Sequence, residues 1–284
     1  MSQLFSNNVF PVLLMIMSAA LSTLATLPAS AAAAPRIVLW SWEHNDDLRF
    51  VDTSKVAIAH FEGTIILGRE TASIIKRRNL ICLPASGFHF PVFRIELAHR
   101  DEAAQPAAFA RAETIILDHL IKSKPAGCRR SQLAAYEPTT VQIDFDAKQN
   151  DRASYLQFLQ NLKAKLPRNT KLSVTALASW CLGDKWLQQA GVDETVAMLF
   201  SMGVGYEGAL SAMSRMPLSN GGSAKQSIGI SINEEKTNRR LKKLGILSSD
   251  MRASKFEHLY AFSSLGWTKR RYEKLIEEVT AIGK

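Results

Sequence analysis

Two aspartates one residue apart close an apolar run, Val141-Gln142-Ile143-Asp144-Phe145-Asp146. In an extended chain they share one face of the strand, as do Arg94 and Glu96 at the end of the run Pro91 to Leu97. Neighbouring carboxylates raise one another's pKa, so one is held as an acid while the other stays ionised. Glycosidic cleavage by a general acid with a nucleophile or base needs that arrangement. Glu43 ends a third run in Trp40-Ser41-Trp42-Glu43-His44, and Trp180 follows a fourth, Leu172 to Ser179. Asp144, Asp146, Glu96 and Glu43 are therefore the candidate catalytic acids. Trp40, Trp42 and Trp180 are candidate platforms for sugar rings, and Arg94 and Tyr206 complete the candidate substrate-binding set. A structural reading competes with this one: Asp-x-Asp as a polar core layer neutralised by Arg94, with tryptophans that only pack.

Other chemistries find less support. The six histidines are scattered without HxH or HExxH, and Cys82, Cys128 and Cys181 form no CxxC pair, so no metal centre is expected. Gly203-Val204-Gly205-Tyr206-Glu207-Gly208 has the glycine spacing of a dinucleotide fingerprint, with Glu234 after the next run. The helix after it is short and broken by Pro217, so a tight turn or an anion site explains the glycines better, and no cofactor is expected. A Gly-x-Ser-x-Gly elbow is missing, which argues against acyl transfer.

Strand-like runs must position the acids, and there are eight of them: Ile37 to Trp42, Lys55 to Phe61, Pro91 to Leu97, Val141 to Asp146, Leu172 to Ser179, Thr195 to Ser201, Ser227 to Ile232 and Glu257 to Phe262. Segments of helical period alternate with them. Gln105 to Ile121 and Arg152 to Leu166 read as crossover helices, and Thr268 to Ile282, capped by Thr268, reads as a final helix. Ile65 to Leu83 breaks the pattern with short apolar groups between Gly, charge and Asn, and reads as an extra hairpin. The count predicts an α/β fold, an eight-fold (β/α) TIM-type barrel with functional groups at the carboxyl ends of its strands.

The motifs Trp40-Ser41-Trp42-Glu43, Val141-Gln142-Ile143-Asp144-Phe145-Asp146-Ala147 and Thr175-Ala176-Leu177-Ala178-Ser179-Trp180-Cys181 resemble an uncharacterised bacterial family of exported proteins known only as a domain of unknown function. That resemblance implies a glycosidase-like barrel and carries no established activity. A more distant likeness is to chitinase-type glycoside hydrolases, whose fourth strand ends in Asp-x-Asp-x-Glu. Here Asp144 and Asp146 match, while Lys148 stands where the acid catalyst belongs. A protonated lysine cannot replace a carboxylic acid that gives and then takes a proton. Asp146, Glu96 or Glu43 must then serve, or the protein binds sugar without cutting it.

Composition fits an exported globular domain. Of 284 residues, 46% are hydrophobic and 21% charged, which excludes a disordered chain. The first 35 residues carry no charged side chain, and the apolar run Val9 to Leu27 leads into Ala29-Ser30-Ala31. Residues 1–34 thus read as a cleaved signal peptide that lacks a positive start, with an uncleaved membrane anchor as the alternative, and 35–284 as one barrel domain. In an oxidising compartment Cys82 and Cys128 are the expected bridge, and Cys181 a buried thiol. The net charge of +9 lies in clusters such as Lys76-Arg77-Arg78 and Lys269-Arg270-Arg271. Most of it is solvated surface. The expected partner is a polysaccharide or oligosaccharide, with an anionic glycan or membrane surface favoured over nucleic acid.

Overall fold

The computed structural model describes residues 36–98, 106–122, 139–178, 180, 186–203, 206–215, 224–244, 246–247 and 256–280. The signal segment and Cys128 and Cys181 lie outside them.

All eight expected runs are strands: β1 (Ile37–Ser41), β3 (Val56–Leu67), β6 (His89–Leu97), β7 (Thr140–Asp144), β8 (Lys171–Leu177), β9 (Glu194–Met198), β10 (Lys225–Ser231) and β11 (Leu259–Phe262). They pair in parallel in the order β1-β3-β6-β7-β8-β9-β10-β11, and β11 pairs with β1 again, so the ring closes into a TIM-type barrel. Strands buried on both faces have near-continuous apolar sequences, and β1 is buried at every position. Short β2 (Asp46–Asp47) and β5 (Ile81–Cys82) pair with one another outside the ring.

Alternation divides each strand between two cores. Outward residues such as Val141, Ile143, Val174 and Ala176 pack beneath α1 (Pro106–Lys122) and α2 (Arg152–Lys165), where Phe109, Tyr155, Phe158 and Leu162 meet them. Inward residues Val38, Trp40, Ala57, Ala59, Phe90, Val92, Val196 and Tyr260 fill the barrel. A third cluster covers the outside of β1 and β3. It is built from Leu48, Val51, Ile81 and Leu83 with Trp267, Tyr272 and Leu275 from the last helix and the turn before it.

Ile65 to Leu83 does form a hairpin. β3 continues past the ring to Leu67, and β4 (Ala72–Lys76) runs back antiparallel along it. A bulge between Phe61 and Gly63 redirects the strand at that point. A β-carbon at Gly63 would stand 2.6 Å from the Ile75 carbonyl oxygen, so only glycine lets the hairpin close. The remaining helices are α3 (Tyr206–Arg215), α4 (Glu235–Lys243) and α5 (Lys269–Thr280). The Thr268 hydroxyl accepts from the Arg271 amide at 3.3 Å, the expected cap of α5.

Candidate functional site

At the carboxyl end of the barrel, Arg94 and Asp144 are register partners on adjacent strands. Arg94 donates from Nε to Glu96 at 2.8 Å and from Nη1 to Asp144 at 3.5 Å. The Thr175 hydroxyl, one strand further on, donates to Asp144 Oδ1 at 2.6 Å. Asp144 is buried, while Asp146 and Glu96 are exposed. Burial pushes the Asp144 carboxyl above the ordinary carboxylate range. The Thr175 hydrogen bond and the Arg94 charge pull against that shift, and the negative charges of Asp146 and Glu96 add to it. A half-buried arginine thus links a buried, proton-favouring carboxyl to an exposed carboxylate, with a second exposed one beside them. Pairs of carboxyls in such unequal surroundings divide acid and base roles.

The structure brings together Arg94, Glu96, Asp144 and Asp146. Glu43 stands apart, because β1 is separated from β6 by β3. Its Oε1 accepts from the Arg78 amide at 3.2 Å, which ties it to the end of the hairpin.

The tryptophans occupy three different environments. Trp42 is half-buried and stacks on Phe61 with ring centroids 4.7 Å apart. Trp40 is sealed inside the barrel. Its Nε1 donates to Gln142 Oε1 at 2.6 Å, and its ring packs against Tyr260 and edge-on to Phe200. Trp180 is buried in the outer core, edge-on to Trp186. Of the three, only Trp42 has surface to offer a sugar. Tyr206 is half-buried at the start of α3, with its hydroxyl engaged by Glu207.

Further parts of this mouth lay outside the expected site residues. Phe200 and Phe262 stack at 5.4 Å, and both are half-buried against the inner cluster, as is Met198. Leu177 is 38% exposed at the end of β8. Glu234, three residues beyond β10, accepts from the Ser201 amide at 2.9 Å and from the Thr237 hydroxyl at 3.0 Å. Ser201 has φ 52°, a left-handed conformation unusual without glycine, and Glu234 holds it there. The available signal was period two: residues 198, 200 and 262 fall on the same strand faces as Val196 and Tyr260, which the barrel turns inward.

The inward rows also carry a closed polar network deeper in the barrel. Glu194 Oε1 accepts from Ser227 at 2.5 Å and lies 2.6 Å from His258 Nδ1, and Oε2 accepts from Ser173 at 2.8 Å and Tyr260 at 2.7 Å. Burial would raise the Glu194 carboxyl, but the hydrogen bonds from His258, Ser227 and Tyr260, with the His258 charge, carry it below its ordinary value. Among the described residues, no group of three or more His, Cys, Asp or Glu is placed to hold a metal ion.

Solved structures that resemble this one include two enzymes of bacterial origin. The spore cortex-lytic enzyme SleL of Bacillus cereus is 13% identical, with 86% of this chain and 75% of that chain covered and a TM-score of 0.49. A candidate chitinase A from Streptomyces coelicolor is 9% identical, with 87% of this chain and 98% of that chain covered and a TM-score of 0.53. At such identity the second likeness establishes the barrel fold alone. No curated protein matches the chain. Residues 112–210, which hold Asp144, Asp146 and Trp180, match the family described as a domain of unknown function (DUF3142), and the expected likeness to an uncharacterised family holds there.

Proposed function

We propose that this chain is an exported glycoside hydrolase acting on a cell-envelope or extracellular glycan. The observation that carries the reading is the unequal carboxyl set: buried Asp144 with its raised pKa beside exposed Asp146 and Glu96, joined through Arg94. Asp146 is the carboxyl that meets the glycosidic oxygen, since it is exposed two residues beyond Asp144, just past the end of β7. Asp144 acts through it as a positioning residue whose protonation is tuned by burial. Glu96 supplies the second acid. Trp42 and the Phe200–Phe262 pair form the apolar faces for the rings.

Export is supported by the uncharged apolar leader and by the disulfide at Cys82, a linkage typical of oxidising compartments. The same leader left in place would anchor the barrel to a membrane. Among the described residues no helix is long and apolar enough to cross one. After cleavage, 35–284 forms a single barrel domain.

A screen of bacterial exopolysaccharides and peptidoglycan fragments tests the activity. Asp146→Ala is expected to lower turnover by about 10²–10⁴-fold with an unchanged unfolding midpoint, because the side chain is exposed. A second reading, glycan binding without cleavage, is favoured by Lys148 at the position of the chitinase-type acid. It requires that the wild-type chain turn over no glycan in the screen, and that Trp42→Ala weaken glycan retention while Asp146→Ala does not.

A further inference from the structure

The opposite end of the barrel holds a cavity that the glycan reading does not use. Its volume is about 420 Å³, within the range of small-molecule sites. Its walls come from the first residues of the strands: Val38, Ala57, Phe90, Thr140, Lys171 and Glu194. The cavity therefore opens at the amino-terminal mouth, where barrel interiors are normally filled by side chains.

One wall is apolar, made by Val38, Ala57, Phe88 and Phe90. Polar and charged residues line most of the rest, and all but one of the charged side chains are paired within the fold. Lys225 is bonded to Glu257, Asp193 accepts from Lys163 at 2.6 Å, and Glu194 holds His258 at 2.6 Å. Lys171 is the exception: among the described residues its ammonium has no ion-pair partner. His258 uses Nδ1 on Glu194, and its other nitrogen, Nε2, makes no hydrogen bond among the described residues. Four neighbours saturate the Glu194 carboxylate, which fixes the imidazole in place without leaving the acid free to repel a ligand.

We propose that this amino-terminal cavity binds a small organic monocarboxylate with an aromatic or aliphatic body, its carboxylate held by Lys171 and His258 and its body against Phe88 and Phe90. A singly charged head matches the one uncommitted ammonium, and the apolar wall supplies the remaining affinity by burial. The site is independent of the carboxylates at the other mouth.

The test is titration of the full chain with naphthylacetate and its uncharged methyl ester, followed by calorimetry and amide NMR. The acid is expected to bind saturably, to shift the Gly191 and Lys171 amides, and to bind at least about tenfold tighter than the ester. Lys171→Met, an exposed position that leaves the core intact, should weaken the acid about tenfold and leave the ester unchanged. Asp146→Ala should change neither. Equal binding of acid and ester, retention of full affinity in Lys171→Met, or no saturable binding of the acid would each overturn the proposal. Loss of glycan turnover in Asp146→Ala with acid binding intact keeps the two sites distinguishable.

Discussion

Asp144 is the residue on which the site turns; burial raises its carboxyl, and one hydroxyl is the foremost group opposing that rise. Replacing Thr175 by Val keeps the volume and removes the donor to Asp144 Oδ1. That bond lowers the Asp144 pKa, so its loss moves the carboxyl further upward, and a carbon-detected NMR titration should show the midpoint rise. The lost hydrogen bond should also cost about 1 kcal/mol of stability. A fixed or falling midpoint would place the Thr175 hydroxyl elsewhere. Gly229 bears on the same inner packing. A β-carbon there would lie 2.6 and 2.7 Å from atoms of the Trp40 ring. Gly229→Ala should therefore destabilise by about 1–3 kcal/mol in urea unfolding, as overpacked cores do. The Arg94, Glu96 and Asp144 part of the grouping was legible because period two puts Arg94 and Glu96 on one face and the order of the runs makes β6 and β7 neighbours, whereas Asp146 lies past the end of β7. The fates of Trp40 and Trp180 were not legible, because a sequence shows an indole but not which of two cores its strand or helix turns it toward.

Elements were legible in proportion to their apolar pattern. All eight ring strands announce themselves as apolar runs, and the glycine and charge breaks in Ile65 to Leu83 announce the hairpin. α4 was missed because Glu235–Lys243 is almost wholly polar, with only Thr237 and Leu241 buried. Contacts between elements were the least visible part. His60 and Glu62 on β3 meet His119 of α1, where Glu62 lies 2.8 Å from His60 Nδ1 and 3.0 Å from His119 Nε2. Burial would raise Glu62, but the two imidazoles hold it far below the ordinary range. Nearby His89 on β6 is pushed down to about 4, by burial first and then by the charge of His60. A histidine depressed in the folded state takes up its proton in the unfolded chain first, so stability is full above about pH 6.5 and is lost as pH falls toward about 4. The lowered Glu62 acts in the same direction, since its contribution is present above its unfolded value near 4.5 and is lost at lower pH. The unfolding free energy from urea titrations should fall steeply between pH 6.5 and 4, by on the order of 3 kcal/mol from His89. The His89→Gln variant should lose most of that slope. An unchanged slope in the variant would assign the acid sensitivity to other groups.

At the scale of the whole molecule, the ring of parallel strands sets two mouths with opposite character. The carboxyl mouth gathers acids and half-buried aromatics, and the amino mouth combines an apolar wall with one uncommitted lysine. A barrel count from sequence predicts the first, since function is sought at strand carboxyl ends, and says nothing of the second, which depends on which inward side chains are too small to fill the interior. No helix joins β1 to β3 or β3 to β6, and the segments around Leu48 and Leu83 cover that side of the ring together with Trp267, Tyr272 and Leu275. Cys82, disulfide-bonded and 7% exposed at the end of β5, pins this cover. A crosslink stabilises chiefly by restricting the unfolded chain, so Cys82→Ser should lower stability by about 2–4 kcal/mol. Reductant should lower the thermal midpoint of the wild-type chain and leave that of the variant unmoved. Peptide mapping under non-reducing conditions is expected to recover Cys82 joined to Cys128, the pairing that the sequence favours. Recovery of Cys82 joined to Cys181 instead would tie the cover to the segment after β8, and would leave Cys128 as the free thiol.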